Sequence, residues 1–406
     1  MKIASLNKEK LVVVIFLFSN IIDHGGGLKI KYLSIALLIM CLIVHIICND
    51  RVRLSSTEIG IFIVLPLFQL CYAILFCNIP ARSAFSSITF NIGILFYLFV
   101  LNYNIDYEFI LKVFLKIMYA LSLCIIFTAF LFEVLLLTGN VSIINNIYFM
   151  AQVKRLGIFG IYNLHGFNLP VVYPSCSMFL IFAIGLACYY KKYLYIMIMF
   201  LACILTTASA NILFSGLVIV SFVLFTDVKK KTKIGFAVLG LIMVIILIAF
   251  MGEKFSVLLK EVIDDITFQS SGDKIKMGHI SSATGYLFEK LKYFFFGMGG
   301  GSEFYSTGIG KTTSVIEVSH ISYWRQFGTL SSILFFGYII NLIWKMVKNK
   351  KRRIIGIGLL MLFISTGTNP QLMSPMFIIV LGICKYYIDS TRVYHQKLFI
   401  ETDIKY

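Results

Sequence analysis

Long apolar runs separated by short charged segments dominate this chain of 406 residues. Hydrophobic residues make up 59% of it and charged residues only 14%, whereas soluble domains carry about 25% charged residues. The runs are continuous instead of alternating, which favours helices that satisfy their own backbone hydrogen bonds in lipid over a β-barrel. We therefore predict an all-α, polytopic transmembrane protein with about twelve spans. The spans centre on residues 11–22, 32–48, 57–77, 84–101, 113–137, 173–190, 193–208, 211–226, 234–250, 329–344, 354–369 and 372–388.

The net charge of +17 is unevenly distributed along the chain. Lysine and arginine concentrate in alternate connecting segments, most densely at residues 229–233 and 345–353. Such a bias marks the cytoplasmic side of a membrane protein, and it explains the charge without a nucleic-acid partner. We therefore predict that both termini lie in the cytoplasm.

Two longer outer regions interrupt one polytopic membrane domain that we assign to residues 1–406. They are residues 139–172 and a large loop, residues 252–328, predicted to be external. Apolar residues between 255 and 266 recur at helical spacing opposite charged ones, and a second helical pattern covers about residues 280–295. A glycine-rich turn at residues 297–301 ends the second pattern. Both amphipathic helices suit a membrane surface.

The end of the large loop carries the strongest candidate for acid–base chemistry. His320 is of the residue type that accepts a proton near neutral pH. In a helix, Glu317 would lie on the same face and could orient the imidazole. The alternative is an ordinary interfacial histidine. Arg325 lies roughly 140° further round such a helix, and an anchor at the headgroups is an equal alternative for it.

Basic residues near the predicted outer face suit a phosphate-bearing ligand. Lys154 and Arg155 precede Gly157 and Gly160, and Arg82 begins the fourth span. The arginine fork binds phosphate in a bidentate manner, although nonspecific contact with lipid phosphates is the alternative. The turn at 297–301 could cradle phosphate with its N–H groups, but a simple turn is the stronger interpretation, since it lacks the P-loop lysine and hydroxyl.

Metal binding is not predicted. His165, His279 and His320 are all external, but their spacing matches no familiar zinc pattern. We also predict no cofactor.

Four short motifs, in order, resemble the superfamily of bacterial O-antigen polymerases (Wzy) and O-antigen ligases (WaaL), which are membrane glycosyltransferases. The motifs are Arg155-Leu-Gly-Ile-Phe-Gly160 with Asn163, Thr206-Thr-Ala-Ser209-Ala-Asn211, Phe296-Gly-Met-Gly299, and His320 leading into Gln326-Phe-Gly328. The resemblance covers about residues 150 to 345.

The resemblance implies a polymerase that works at the outer face of the inner membrane. It would transfer a growing glycan from undecaprenyl pyrophosphate to the non-reducing end of an incoming lipid-linked repeat unit. His320, aided by Glu317, would activate the acceptor hydroxyl, and Tyr323 and His165 would contact the glycan. Arg155, with Lys154, Arg82 and Arg325, would bind the pyrophosphate. The implied partners are the lipid-linked oligosaccharide and polysaccharide, membrane lipids and a chain-length regulator.

The chain departs from the family pattern at two positions. Asn211 stands where an arginine is usual. The family often has an arginine after Ser271-Gly272; here either Lys274 or Lys276 replaces it or Arg325 takes its role. Lysine supplies a point charge in place of a fork. An O-antigen ligase acting on lipid A core, and a polysaccharide flippase or transporter, are the alternative functions. A transporter would carry its charged residues within the spans.

Overall fold

The structure, a computed structural model, describes residues 7–49, 53, 56–164, 167–226, 271–314 and 316–403, together with isolated positions between 227 and 270. The described chain is mostly helical, as predicted. The predicted span at 234–250 and the amphipathic helix at 255–266 lie almost entirely outside the described residues, and so do His165 and Gly166.

Helices account for nearly all of the described architecture. Nine precede residue 227: α1 Lys8–Ile22, α2 Ile30–Asn49, α3 Ser56–Cys77, α4 Ala81–Asn102, α5 Tyr107–Leu137, α6 Val141–Val153, α7 Ser177–Tyr189, α8 Tyr193–Leu205 and α9 Ser209–Phe225. Five follow residue 270: α10 Ser271–Glu289, α11 Leu291–Phe296, α12 Ser319–Lys348, α13 Arg353–Ser365 and α14 Pro375–Asp403. The α3 helix contains a π-helical segment, Gly60–Val64, just before Pro66.

Five of these helices are long and apolar enough to cross a membrane: Ile30–Cys48, Ser56–Cys77, Ala81–Asn102, Tyr107–Leu137 and Ser319–Lys348. Several others, including α7, α8, α9 and α13, are apolar but have only 10 to 17 residues. The described helices are thus those of a membrane protein in length and composition. The count of about twelve spans stays a prediction.

Helix α7 forms the centre of the bundle. Its residues from 180 to 188 are all buried, and it packs against α5, α8, α9 and α13. Gly185 makes one close contact: a Cβ there would lie 3.2 Å from the Cα of Gly358 on α13. Small residues let membrane helices approach backbone to backbone, which explains how a short helix is held by so many neighbours.

The first outer region is more ordered than the predicted loop. After α6, β1 Gly157–Leu164 pairs with β2 Phe167–Pro174 in an antiparallel hairpin. A second, smaller hairpin joins β3 Phe304–Ser306 and β4 Lys311–Thr313 in the large loop. The prediction of an all-α fold is therefore corrected: the described chain is mostly helical and also contains two short β-hairpins. In the first hairpin Ile158 and Tyr162 are exposed, and Gly160 between them is buried against Tyr148 of α6, so burial along this strand follows no simple period.

The predicted helix at 280–295 is present but begins earlier and breaks at Lys290, whose backbone is extended. The glycine-rich turn that follows is docked along α12. Its Met298 N–H donates to the Arg325 carbonyl at 2.8 Å, and the Gly299 N–H donates to that of Gln326 at 3.1 Å. These N–H groups are therefore occupied, so the turn is no phosphate cradle here.

The docking of the glycine-rich turn along α12 also explains why residue 328 is a glycine. Its φ of +76° interrupts α12, and a Cβ at this position would lie 2.4 Å from the backbone nitrogen of Gly297. Only glycine tolerates both conditions. Two motifs separated by almost thirty residues thus form one packed unit.

Candidate functional site

A glycine-rich turn between α1 and α2 forms one side of the site. The buried carboxylate of Asp23 accepts the N–H groups of Leu28 at 2.9 Å and Lys31 at 3.2 Å, which fixes the turn and the start of α2. Lys31 Nζ donates to the carbonyl of His24 at 2.7 Å. The sequence places these residues in a short polar loop, and the hydrogen bonds make that loop rigid.

The turn packs directly on the Lys154–Arg155 backbone. A Cβ on Gly25 would lie 2.0 Å from the Arg155 carbonyl oxygen, and one on Gly27 would lie 1.9 Å from that of Lys154. Arg155 adopts a left-handed φ of +52°, a conformation that is uncommon for arginine. The two glycines therefore let the turn dock where a larger residue would hold it away.

A surface cavity of about 470 Å³ opens beside this contact. It is lined by residues from four segments: His24, Gly25, Gln152, Arg155, Gly157, Ile158, Ser175, Pro370, Gln371, Met373, Ser374 and Pro375. Arg155 is exposed at the cavity and interacts electrostatically with Lys31. The cavity thus offers a planar fork and, close by, a second cation, which suits a phosphate-bearing ligand.

His24 and Gln371 join two sides of the cavity. His24 Nε2 lies 2.7 Å from Gln371 Oε1. An amide oxygen only accepts, so Nε2 carries the proton. Burial lowers the pKa of His24 to about 4, partly opposed by this hydrogen bond. The imidazole is therefore neutral at physiological pH.

The loop between α13 and α14, residues 366–374, connects the cavity to the start of α12. Gln371 Nε2 donates to the Ser175 carbonyl at 3.2 Å, and the Tyr173 hydroxyl donates to Asn369 Oδ1 at 3.3 Å. On the other side, Ser319 Oγ donates to the Asn369 carbonyl. A single short loop therefore contacts the large loop at Ser319 and the chain just after the first outer region, at Tyr173 and Ser175.

His320 lies half-buried against this loop. Its Nε2 is 3.3 Å from Thr366 Oγ1, whose own proton is donated to the Phe363 carbonyl at 2.7 Å. With the Thr366 proton so donated, the Thr366 oxygen accepts from Nε2–H, and Nδ1 is then the unprotonated nitrogen. Nδ1 faces Gly367, where a Cβ would lie only 3.1 Å away. The absence of that Cβ leaves room beside the nitrogen.

Glu317 does not share a helical face with His320. Helix α12 begins at Ser319, so Glu317 precedes it, exposed. Its charge acts instead on His279 and Tyr173. Burial lowers the pKa of His279, with Glu317 opposing it, and His279 Nδ1 lies 2.6 Å from Ser306 Oγ. The predicted pairing of Glu317 with His320 in one helix is therefore wrong in this structure.

Tyr323 and Arg325 are buried, at 2% and 0% exposure. The Tyr323 hydroxyl accepts from Gln69 Nε2 at 3.3 Å, and its ring stacks on Phe335. Arg325 donates to the Ser302 and Ser314 carbonyls, at 3.0 and 2.9 Å, and its guanidinium lies 4.4 Å from the Phe304 ring centroid. Arg325 thus fastens the large loop to α12, and Tyr323 packs α12 against α3, which does not favour their predicted contacts with pyrophosphate and glycan.

The remaining predicted ligands are scattered. Arg82 and Lys274 are exposed and lie outside the described lining of the cavity, and Lys276 pairs with Asp273 at 3.6 Å. Lys154 contributes its backbone to the docked turn. His165 lies outside the described residues.

The motif at 206–211 reaches the same end of the bundle. Buried Asn211 donates to Thr206 Oγ1 at 3.2 Å and to Ser177 Oγ at 3.4 Å. Ser177 lies two residues after Ser175, which lines the cavity. Asn211 thus links two side-chain hydroxyls, one of them two residues from the cavity lining.

Sequence reasoning missed His24, Lys31 and Gln371 as site residues. A signal was present, because each lies in a polar stretch with glycine or proline between two apolar runs, on the predicted outer side. No local pattern in the sequence connects His24 with Gln371, which lie almost 350 positions apart.

Comparison with models of known protein families and with curated protein sequences finds no match.

Proposed function

We propose that this protein is a membrane glycosyltransferase that polymerises O-antigen or a similar surface polysaccharide. The observation that supports it best is the loop at 366–374. This loop contacts His320 through Thr366 and lines the Arg155 cavity with Gln371. A candidate base and a candidate pyrophosphate ligand therefore lie on either side of one segment.

In this proposal the growing glycan is carried on undecaprenyl pyrophosphate at the outer face of the bacterial inner membrane. His320 Nδ1 accepts the proton of an acceptor hydroxyl on the incoming lipid-linked repeat unit. That oxygen forms the new bond to the anomeric carbon as the bond from this carbon to the phosphate oxygen breaks. Arg155, with Lys31 nearby, stabilises the negative charge on the departing pyrophosphate.

The proposal includes the predicted topology, with the cavity periplasmic and both termini cytoplasmic. A chain-length regulator of the same pathway is its proposed protein partner. Lipid-linked glycans and membrane lipids are its other partners.

A transporter or flippase is the second candidate function. Three charged residues, Glu58, Lys385 and Asp389, form a network of ion pairs between α3 and α14. Charged groups within spans are a feature that a transporter would need.

Deleting the gene distinguishes these functions. A polymerase mutant is expected to carry a single repeat unit on lipid A core, visible as one short band when lipopolysaccharide is separated by size. Unattached lipid-linked polymer would instead identify a ligase, and loss of every repeat unit would identify a flippase.

Adding a methyl group next to His320, the candidate base, tests the role of this residue more specifically than the gene deletion does. Gly367→Ala is expected to reduce polymerisation roughly 10²-fold, the lower part of the range for general base catalysis, because the new Cβ would crowd His320 Nδ1. Gly337→Ala on α12, where a Cβ meets nothing within 4 Å, is the matched control. Chain length should be compared at equal protein level in the membrane. Normal chains from the Gly367 variant would argue against Nδ1 as the base.

A further inference from the structure

A second, smaller polar cavity lies at the opposite end of the bundle. It has a volume of about 100 Å³ and opens where α3, α12 and α14 meet. Its lining residues are Thr57, Glu58, Tyr338, Asn341, Leu342, Lys345, Lys385, Ile388 and Asp389. The cavity is large enough to hold a small polar group, since a single water needs roughly 10–15 Å³.

Glu58 is the buried acid of this cavity, with only 2% of its surface exposed. Its Oε1 accepts from the Tyr338 hydroxyl at 3.1 Å and lies 3.4 Å from Lys385 Nζ. Its Oε2 is also buried, and no residue in the described part of the chain hydrogen-bonds to it. A buried carboxylate oxygen without a donor is unfavourable, which points to a missing ligand that donates.

The charges around Glu58 indicate that the donor is a cation. Lys385 is shared, because its Nζ also lies 3.0 Å from Asp389 Oδ2. Asp389 in turn accepts from the Tyr97 hydroxyl at 2.9 Å. One half-buried ammonium thus serves two carboxylates, so the inner part of the cavity, away from Lys345, has one more negative than positive charge.

The rim of the cavity carries the opposite charge. Lys345 lines the cavity but is exposed on the last part of α12, one turn beyond Asn341. An anion held at the rim would therefore meet Lys345, while a cation held deeper would meet Glu58. A zwitterion with its charges a few bonds apart matches both.

The surroundings favour a ligand that arrives from the membrane. Ile340 and Trp344 on α12 are 57% and 65% exposed, and Leu67 on α3 is 53% exposed. Tryptophan is typical of the interface between lipid and water. In addition, the π-helical segment Gly60–Val64 begins two residues after Glu58 in α3, and π segments are frequent at functional sites.

We propose that this cavity binds the primary ammonium headgroup of an aminophospholipid from the adjacent leaflet. Glu58 Oε2 accepts a hydrogen bond from the ammonium, and Lys345 pairs with the lipid phosphate. A choline headgroup fits the site less well, because its quaternary nitrogen has no N–H to donate. The proposal is independent of the glycosyltransferase function.

Native mass spectrometry of the full-length protein released from mixed vesicles tests the proposal. With phosphatidylethanolamine and phosphatidylglycerol in equal amounts, we expect the protein to retain phosphatidylethanolamine preferentially. Glu58→Gln should weaken this retention about tenfold, as expected for one hydrogen bond to a charged group. Glu108→Gln is the matched control, since Glu108 pairs with Lys112 and Tyr190 elsewhere on the same end.

Two comparisons keep the test informative if the Glu58 variant fails to fold. In the wild-type protein, phosphatidylcholine should bind clearly more weakly than phosphatidylethanolamine. Lys345→Ala, at an exposed position, should also weaken retention. Equal retention of all three lipids, or retention of soluble ethanolamine without a preference for its lipid, would overturn the assignment.

Discussion

Replacing His320 with alanine is expected to abolish long glycan chains and leave single repeat units on the lipid A core. Loss of a general base typically lowers a rate roughly 10²–10⁴-fold. Because a long glycan requires many successive additions, a slower addition step shortens the chains further. The imidazole whose Nδ1 faces Gly367 is the group that this substitution removes. The measurement is the size distribution of lipopolysaccharide from cells that express only the variant.

The control for this experiment is His45→Ala, the same change on α2 at the opposite end of the bundle, beside Tyr103. Both variants should be present in the membrane at the level of the unchanged protein. Chains of normal length from the His320 variant would exclude a catalytic role for this residue. Shortened chains from the His45 variant as well would indicate a general folding defect.

Replacing Arg155 with alanine is expected to cause a comparable loss. Removing one group that stabilises developing negative charge typically costs roughly 10²–10³-fold in rate. Arg155 is exposed at the cavity, and its backbone is held by the Gly25 and Gly27 turn. Since the backbone remains anchored, the loss should come from the missing guanidinium.

Two further variants separate charge from geometry at this position. Arg155→Lys should retain part of the activity, because lysine keeps the charge and loses the bidentate fork. Lys311→Ala removes an exposed cation from the large loop, away from the described lining of the cavity, and should leave chain length unchanged. If Arg155→Ala behaves like Lys311→Ala, Arg155 does not bind the leaving group.

Apolar periodicity anticipated the helices well and the outer regions poorly. Long uniform runs such as Tyr107–Leu137 leave no alternative to a helix in lipid. The hairpin at 157–174 is different, because its apolar and glycine residues follow no single strong period. The break at Lys290 was equally invisible, since lysine is a good helix former and tertiary packing decides its conformation.

The residues of the candidate site were likewise predicted only in part. Arg155 and His320 were identified from residue chemistry, and the structure joins their surroundings through residues 366–374. Tyr323 and Arg325 belong to the same segment as His320, but they are buried. Sequence alone cannot separate a polar side chain that faces a cavity from one that fastens a loop, because both occur beside the same motif.

The partners of the site residues depend on contacts between distant parts of the chain. Gln371 contacts His24, and Gly25 contacts Arg155, in pairs that no local pattern connects. Glu317 illustrates the risk of local reasoning. Three residues from His320 in sequence, it lies before the helix and acts on His279 instead.

Reconstitution of the purified protein with its lipid-linked repeat unit tests the central claim most directly. The protein in vesicles would be supplied with the repeat unit on undecaprenyl pyrophosphate and with no nucleotide sugar, and the products would be separated by size. The account predicts a ladder of lipid-linked glycans that grows with time, together with released undecaprenyl pyrophosphate, and its absence in the His320→Ala and Arg155→Ala proteins. An unchanged repeat unit in the presence of folded wild-type protein, or a ladder that persists in both variants, would contradict it.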